Sequence, residues 1–294
     1  MPHRLIPALL LLILSACSSL PGPERAGVFP MLEDGQARKG IHRVILLIPG
    51  AFESVNIFAP ALDWHLPDTT VVAYRFPGMD GLPQDHRVDM DGSAQLIADY
   101  VNDLDPDEVY VIGYSTGGPI AIETAERLTT PPQAMALISS AAEMPSAIMA
   151  SLRGAVDVAE AMLRVGTTRS DAALTENYRT LLYGREHYQD SATASLSQSE
   201  AEEVRAVMVR PSLKLSLAHS ASLMTWRLDA DRDLSDTRIG FFHGGADPVF
   251  PVEATQTFAA RVQAEQFLIY PGQGHLLYET SRRLFDDIRD FFAL

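Results

Sequence analysis

Ser115 stands in the run Glu108-Val-Tyr-Val-Ile-Gly-Tyr-Ser-Thr-Gly-Gly-Pro119, at the centre of a Gly-x-Ser-x-Gly pentapeptide. The apolar residues Val109 to Ile112 before it predict a buried strand, and Ile120 to Leu128 after it predict a helix. A sharp strand-to-helix turn with small residues two positions either side leaves the serine hydroxyl free at a helix N-terminus, where backbone N–H groups lack partners. Pro119 is compatible with the first helical turn, whose N–H groups have no intrahelical acceptor. A serine hydroxyl is a weak nucleophile at neutral pH. It needs a base within hydrogen-bonding reach, and that base needs an acid to hold its tautomer. Two later loops carry such groups, each directly after an apolar run: His243-Gly-Gly-Ala-Asp247-Pro-Val-Phe-Pro251 and Pro271-Gly-Gln-Gly-His275-Leu276.

The elements that must position these groups alternate along the chain. Strands are expected at Val44–Ile48, Thr70–Phe76, Val109–Ile112, Ala134–Ser139, Arg238–Phe242 and Gln266–Tyr270, with a short one around Val28-Phe29. Helices are expected at Ser93–Leu104 (Ser93 as N-cap), Ile120–Leu128, Ala254–Val262 and Leu276–Phe292. Continuous apolar strands separated by helices imply an α/β fold, a mostly parallel sheet covered on both faces. In such sheets, ligands bind beyond the carboxyl ends of the strands, which is where the Ser115, Asp247 and His275 loops fall.

Residues 143–233 break the alternation. They have helical patterning, with Ile148, Leu152, Val156, Ala159 and Leu163 on one apolar face and Leu174, Tyr178, Leu181 and Leu182 on another. This segment is expected to form a helical cap between core segments 41–142 and 234–294. Met144, Met149, Met162, Met208 and Met224 fall within it and would suit an adaptable pocket for an acyl chain, although such residues also simply pack helices.

At this point the chain resembles the α/β-hydrolase superfamily, on the Gly-x-Ser-x-Gly elbow, the Gly-x-x-Asp-x-x-x-Pro loop and the Gly-x-Gly-His loop taken together. The resemblance implies Ser115 as nucleophile, His275 as general base and then acid, and Asp247 as orienting carboxylate, with Glu143 as the fallback acid. It also implies an oxyanion hole of backbone N–H groups, from Thr116 and from Ala51 or Phe52 after the first core strand. Pro49 stands where relatives often carry histidine. A serine rather than an aspartate at the apex argues against epoxide hydrolase or haloalkane dehalogenase chemistry. The expected activity is a serine hydrolase cleaving carboxylic ester or lipid-derived acyl substrates through an acyl-enzyme. The alternatives are a thioesterase, peptidase or acyltransferase on the same scaffold, or a catalytically silent binding protein of the cell envelope.

The remaining expectations concern place and partners. Arg4, an apolar stretch and Leu14-Ser-Ala-Cys17 read as a signal peptide over 1–16, and the tetrapeptide resembles the lipobox of bacterial lipoproteins. The resemblance implies acylation of Cys17, the sole cysteine, and anchorage to the outer membrane on its periplasmic side; an ordinary secretory signal is the alternative. Residues 17–40, rich in Pro, Gly and charge, read as a tether. The formal charge of −15, without a basic patch, excludes nucleic acid as an expected partner and gives no electrostatic attraction to anionic lipid. No Cys/His spacing predicts a metal and no Gly-rich loop a nucleotide, so no cofactor is expected.

Overall fold

Strand residues of alternating parity divide between two buried clusters. Val44, Leu46, Ile48, Val109 and Val111 belong to one, and Ile45, Leu47, Tyr110 and Ile112 to the other. A sheet with period-two side chains and no solvated face must be covered on both sides. The computed structural model describes residues 20–24, 29–144, 146–166, 170–204 and 212–294. Cys17, the signal segment, Val28 and Met208 lie outside the described residues.

The sheet has seven strands: β1 (Met31–Glu33), β2 (Arg43–Ile48), β3 (Thr69–Tyr74), β4 (Glu108–Tyr114), β5 (Ala134–Ile138), β6 (Arg238–Gly244) and β7 (Gln266–Tyr270). Their order is β1-β3-β2-β4-β5-β6-β7, and only β1 is antiparallel. One face is covered by helices α2 (Met90–Leu104), α3 (Gly117–Arg127) and α8 (Val252–Arg261). The other carries a 3-10 turn at Val55–Phe58 with α1 (Ala59–Leu62), and later α9 (Leu277–Thr280) with α10 (Leu284–Phe292). The amphipathic α10 buries Leu284, Phe285, Ile288, Phe291 and Phe292, each such side chain contributing about 1.5–3 kcal/mol. The fold is α/β, a mostly parallel sheet covered on both faces, as expected.

Chain order reverses between β2 and β4, since β3 lies on one side of β2 and β4 on the other. The loops after these two strands therefore diverge and open a crevice. Tyr114 pairs in register with Ile138, Ile138 with Phe242, and Gly244 with Tyr270, so the loops after β4, β6 and β7 leave the same edge at one level.

Local boundaries differ from expectation where distant residues intervene. Helix α2 begins at Met90 with Asp89 as N-cap, its side chain accepting from the Gly92 N–H at 3.1 Å. Ser93 is not the cap: it is buried within the helix and shares the Glu24 carboxylate with the Tyr74 hydroxyl. The first described strand is Met31–Glu33, which does not include Phe29. The stretch read as a tether is tied to the core at points: Glu24 is buried, its N–H donates to Arg87 O at 2.9 Å, and Asp34 accepts from Val71 N and Thr70 Oγ1 at 2.8 Å. The final helix is broken at Ser281, whose backbone is extended, into α9 and α10.

Between β5 and β6 lie α4 (Ser146–Arg164), α5 (Ser170–Tyr183), α6 (Ser191–Val204) and α7 (Leu213–Ser220), with no strand among the described residues. The apolar stripe of α4 is not its packing face: Leu152, Val156 and Leu163 are 57%, 55% and 80% exposed. The helix packs instead through small Ala147, Ala150 and Ala161, and through buried Asp157, which takes a bidentate pair from Arg185 at 2.7 and 2.9 Å. Met149 is exposed rather than turned to an interior pocket. Among the described residues no helix is long and apolar enough to cross a membrane.

Candidate active site

Ser115 sits between β4 and α3 with φ of +51°, a left-handed conformation that strains a side-chain-bearing residue. The surrounding backbone holds it there. Its N–H donates to Ile138 O at 2.9 Å, and its carbonyl accepts from Gly118 and Ala141 N–H, both at 3.0 Å. The turn closes only because the residue two positions on, Gly117, lacks a side chain. A Cβ on Gly117 would stand 2.2 Å from Ile48 O and 2.5 Å from Pro49 O, both main-chain atoms that cannot swing away. Gly117→Ala is therefore expected to destabilise the fold by about 3 kcal/mol, the upper range for forcing a methyl into a packed site; urea denaturation measures it.

His275 follows β7, and Asp247 follows β6. The imidazole bridges the other two groups: Nδ1–H donates to Asp247 Oδ2 at 2.8 Å, and Nε2 accepts from Ser115 Oγ at 3.1 Å. All three residues are more than nine-tenths buried. The second Asp247 oxygen accepts from Val249 N–H at 2.7 Å and Phe250 N–H at 3.0 Å, a turn geometry that fixes the carboxylate plane. Burial would push this carboxyl up. The His275 imidazole, the His243 ring behind it and the Phe250 N–H outweigh burial and hold it below the ordinary carboxylate range. Tyr114 and Phe250 flank the imidazole, with ring centroids at 5.4 and 5.7 Å. Glu143, the fallback acid, is engaged elsewhere: it pairs with Arg261 and accepts from the Leu228 N–H at 3.0 Å.

The helices between β5 and β6 are hydrogen-bonded to these loops. The last carbonyls of α5 hold the histidine loop: Leu182 O accepts from Gly274 N–H and Leu181 O from His275 N–H, both at 2.7 Å. Gly274 permits the approach, since a Cβ there would fall 2.3 Å from Leu181 O. Arg185 reaches the acid loop by donating to Pro248 O at 2.7 Å while paired with Asp157 of α4. The apolar spacing of α5 shows an amphipathic helix but not that its terminal carbonyls serve the site.

Of the expected oxyanion donors, Thr116 follows Ser115 at the α3 N-terminus, where the helix dipole favours negative charge. Gly50 packs against Ser115, a Cβ there standing 2.9 Å from Ser115 Cβ, so the loop after β2 borders the serine directly. Within that loop the two candidates differ. The Phe52 N–H is occupied, donating to His219 Nδ1 at 3.1 Å, whereas the Ala51 and Thr116 N–H groups donate to no described residue. His219 and His86 are both buried. Among the described residues no group of His, Cys, Asp and Glu side chains could hold a metal ion.

Glu53, next in the same loop, was not singled out by its sequence context. Burial raises its carboxyl to about 7, although Tyr278 and His275 favour the ionised form. The native state thus retains a proton that the unfolded chain, near 4.5, has lost. The stability this contributes is present below pH 4.5 and is lost as pH rises through about 7. Glu53→Gln is expected to match the native chain in thermal stability at pH 4 and to exceed it at pH 8, a difference that melting curves across this range would show.

Comparison with other proteins agrees with this fold. The alpha/beta hydrolase family profile matches residues 45–287, and the chain belongs to that family. Among solved structures, it is similar to a carboxylesterase structure from the thaumarchaeon Nitrososphaera gargenis, at 17% identity and TM-score 0.68 over 93% of this chain and 98% of that one. A thermophilic esterase from Thermogutta terrifontis matches at 17% identity and TM-score 0.61, covering 90% of this chain and 92% of that one. The putative non-heme bromoperoxidase BpoC from Mycobacterium tuberculosis matches at 16% identity and TM-score 0.69, covering 90% and 96%. No curated protein matches the chain in sequence.

Proposed function

We propose that this alpha/beta hydrolase is a serine hydrolase that cleaves carboxylic ester or lipid-derived acyl substrates. The observation that carries the reading is the hydrogen-bonded relay Asp247–His275–Ser115, with spacings of 2.8 and 3.1 Å. His275 takes the Ser115 proton as the hydroxyl attacks the acyl carbon, and Asp247 stabilises the imidazolium that results. The carbonyl oxygen gains charge in the tetrahedral intermediate, where the Thr116 and Ala51 N–H groups would receive it. His275 then protonates the departing alkoxide, and the acyl-enzyme is hydrolysed by water activated at the same imidazole. The esterases among the structural neighbours are consistent with this chemistry.

A panel of p-nitrophenyl esters from acetate to palmitate tests the reading. Turnover of at least one ester is expected; inactivity of a folded sample across the whole panel would count against it. A sharp preference for acetate would count against a long acyl pocket. The proposed place of action is the bacterial envelope, with attachment to the outer membrane through a lipid on Cys17. Metabolic palmitate labelling should be lost in Cys17→Ser, and equal labelling of both chains would sink the anchor.

A further inference from the structure

His219 closes α7, on the cap, yet its side chain reaches the loop after β2. The ring is wholly buried and both nitrogens are used. Nε2–H donates to Pro77 O at 2.7 Å, which leaves Nδ1 as the acceptor for the Phe52 N–H at 3.1 Å. The imidazole also lies on the Phe52 ring, with centroids 5.2 Å apart and planes within 18°, and meets Phe76 at 5.1 Å. Burial drives this imidazole down to about 4, so the neutral tautomer that both bonds require persists near neutral pH.

What His219 holds is strained. Phe52 has φ of +69°, a left-handed conformation unfavourable for a bulky side chain, and it persists only where the surroundings enforce it. The far side of the loop is fixed as well: Asp80 accepts from Ser54 Oγ at 2.5 Å and from Val55 N–H at 3.0 Å. Between these restraints and Gly50, which packs on Ser115, stands Ala51 with its N–H free of any described partner.

We propose that His219 is a positioning residue for acyl transfer: by taking the Phe52 N–H and clasping its ring, it sets the loop so that the Ala51 N–H faces the reacting oxygen beside that of Thr116. The inference rests on the acyl-transfer reading above. It also makes the cap part of the catalytic device, because the group that orients the donor belongs to α7 and not to the sheet. Strain held at a functional loop is a form of preorganisation, and a donor displaced by about 1 Å loses much of its value in the transition state.

The test compares His219→Phe, His219→Leu and His219→Gln with the native chain. Phe and Leu remove the acceptor, while the Gln amide can accept from Phe52 and donate to Pro77. Steady-state rates would be scaled to the Ser115 sites titrated by a fluorophosphonate. His219→Phe is expected to lower kcat about 30-fold with KM within about twofold. It should also weaken a trifluoromethyl ketone, whose hemiketal oxygen mimics the oxyanion, by a similar factor, without changing inhibition by the carboxylate product. His219→Gln should restore most of both. His219→Leu gives the same reading if the Phe variant does not fold. Native kcat in either apolar variant would overturn the proposal, as would equal losses for the ketone and the carboxylate. A native enzyme that hydrolyses no ester and takes no phosphonate would fail the parent reading instead, and the proposal with it.

Discussion

Ser115→Ala is expected to abolish labelling by a fluorophosphonate probe and to lower kcat for any ester the native chain turns over by about 10⁵-fold or more. The reason is chemical: removing Oγ deletes the hydroxyl hydrogen-bonded to His275 Nε2, and with it the proposed acyl-enzyme pathway. Structure should survive. The hydrogen bonds that hold the turn come from the Ser115 main chain, to Ile138, Gly118 and Ala141, and alanine keeps all of them. The left-handed φ of +51° is about as strained for alanine as for serine, so thermal stability should change little. Labelling that persists in Ser115→Ala would place the reactive nucleophile elsewhere. A folded native chain that takes no label would favour a binding role on the same fold.

The candidate site was legible in the sequence to the extent that its logic is local. Ser115, Asp247 and His275 each follow a recognisable apolar strand, and parallel topology forces such loops to one edge, so their meeting could be expected without coordinates. What was not legible depends on pairs far apart in the chain. The choice between Ala51 and Phe52 turns on His219, 167 residues beyond Phe52. The start of α2 turns on Glu24, which draws Ser93 inward across 69 residues and leaves capping to Asp89. In α4 the apolar periodicity was real, but periodicity records an amphipathic helix and not which side meets the protein. The alanine side with Asp157 won because small residues permit close packing and Arg185 neutralises the buried acid, leaving Leu152 and Val156 outside. Glu53 escaped notice for a related reason: nothing in Phe-Glu-Ser says that this carboxylate will be half-buried near Tyr278 and His275.

Asp247→Asn separates the electrostatic from the steric role of the acid. The native carboxylate uses one oxygen for the Val249 and Phe250 N–H groups and the other for His275 Nδ1–H. An asparagine would satisfy the two main-chain donors with its carbonyl oxygen, because its NH₂ group cannot accept from them. That choice turns the NH₂ toward His275, which must then accept at Nδ1 and carry its proton on Nε2. The imidazole would thereby present a donor to Ser115 Oγ in place of the lone pair the attack requires, and the imidazolium would lose its counter-charge. A fall in kcat of about 10⁴-fold is expected, as wrong-tautomer substitutions of this kind produce, with KM and circular dichroism little changed. Because the defect lies in removing a proton, activity should recover partly as pH rises above 9, where hydroxide can deprotonate Ser115 without the imidazole. Asp247→Ala would be a poorer probe, since it also strands the Val249 and Phe250 N–H groups. Near-native turnover in the asparagine variant would mean that Asp247 supports the loop alone and that another group serves His275.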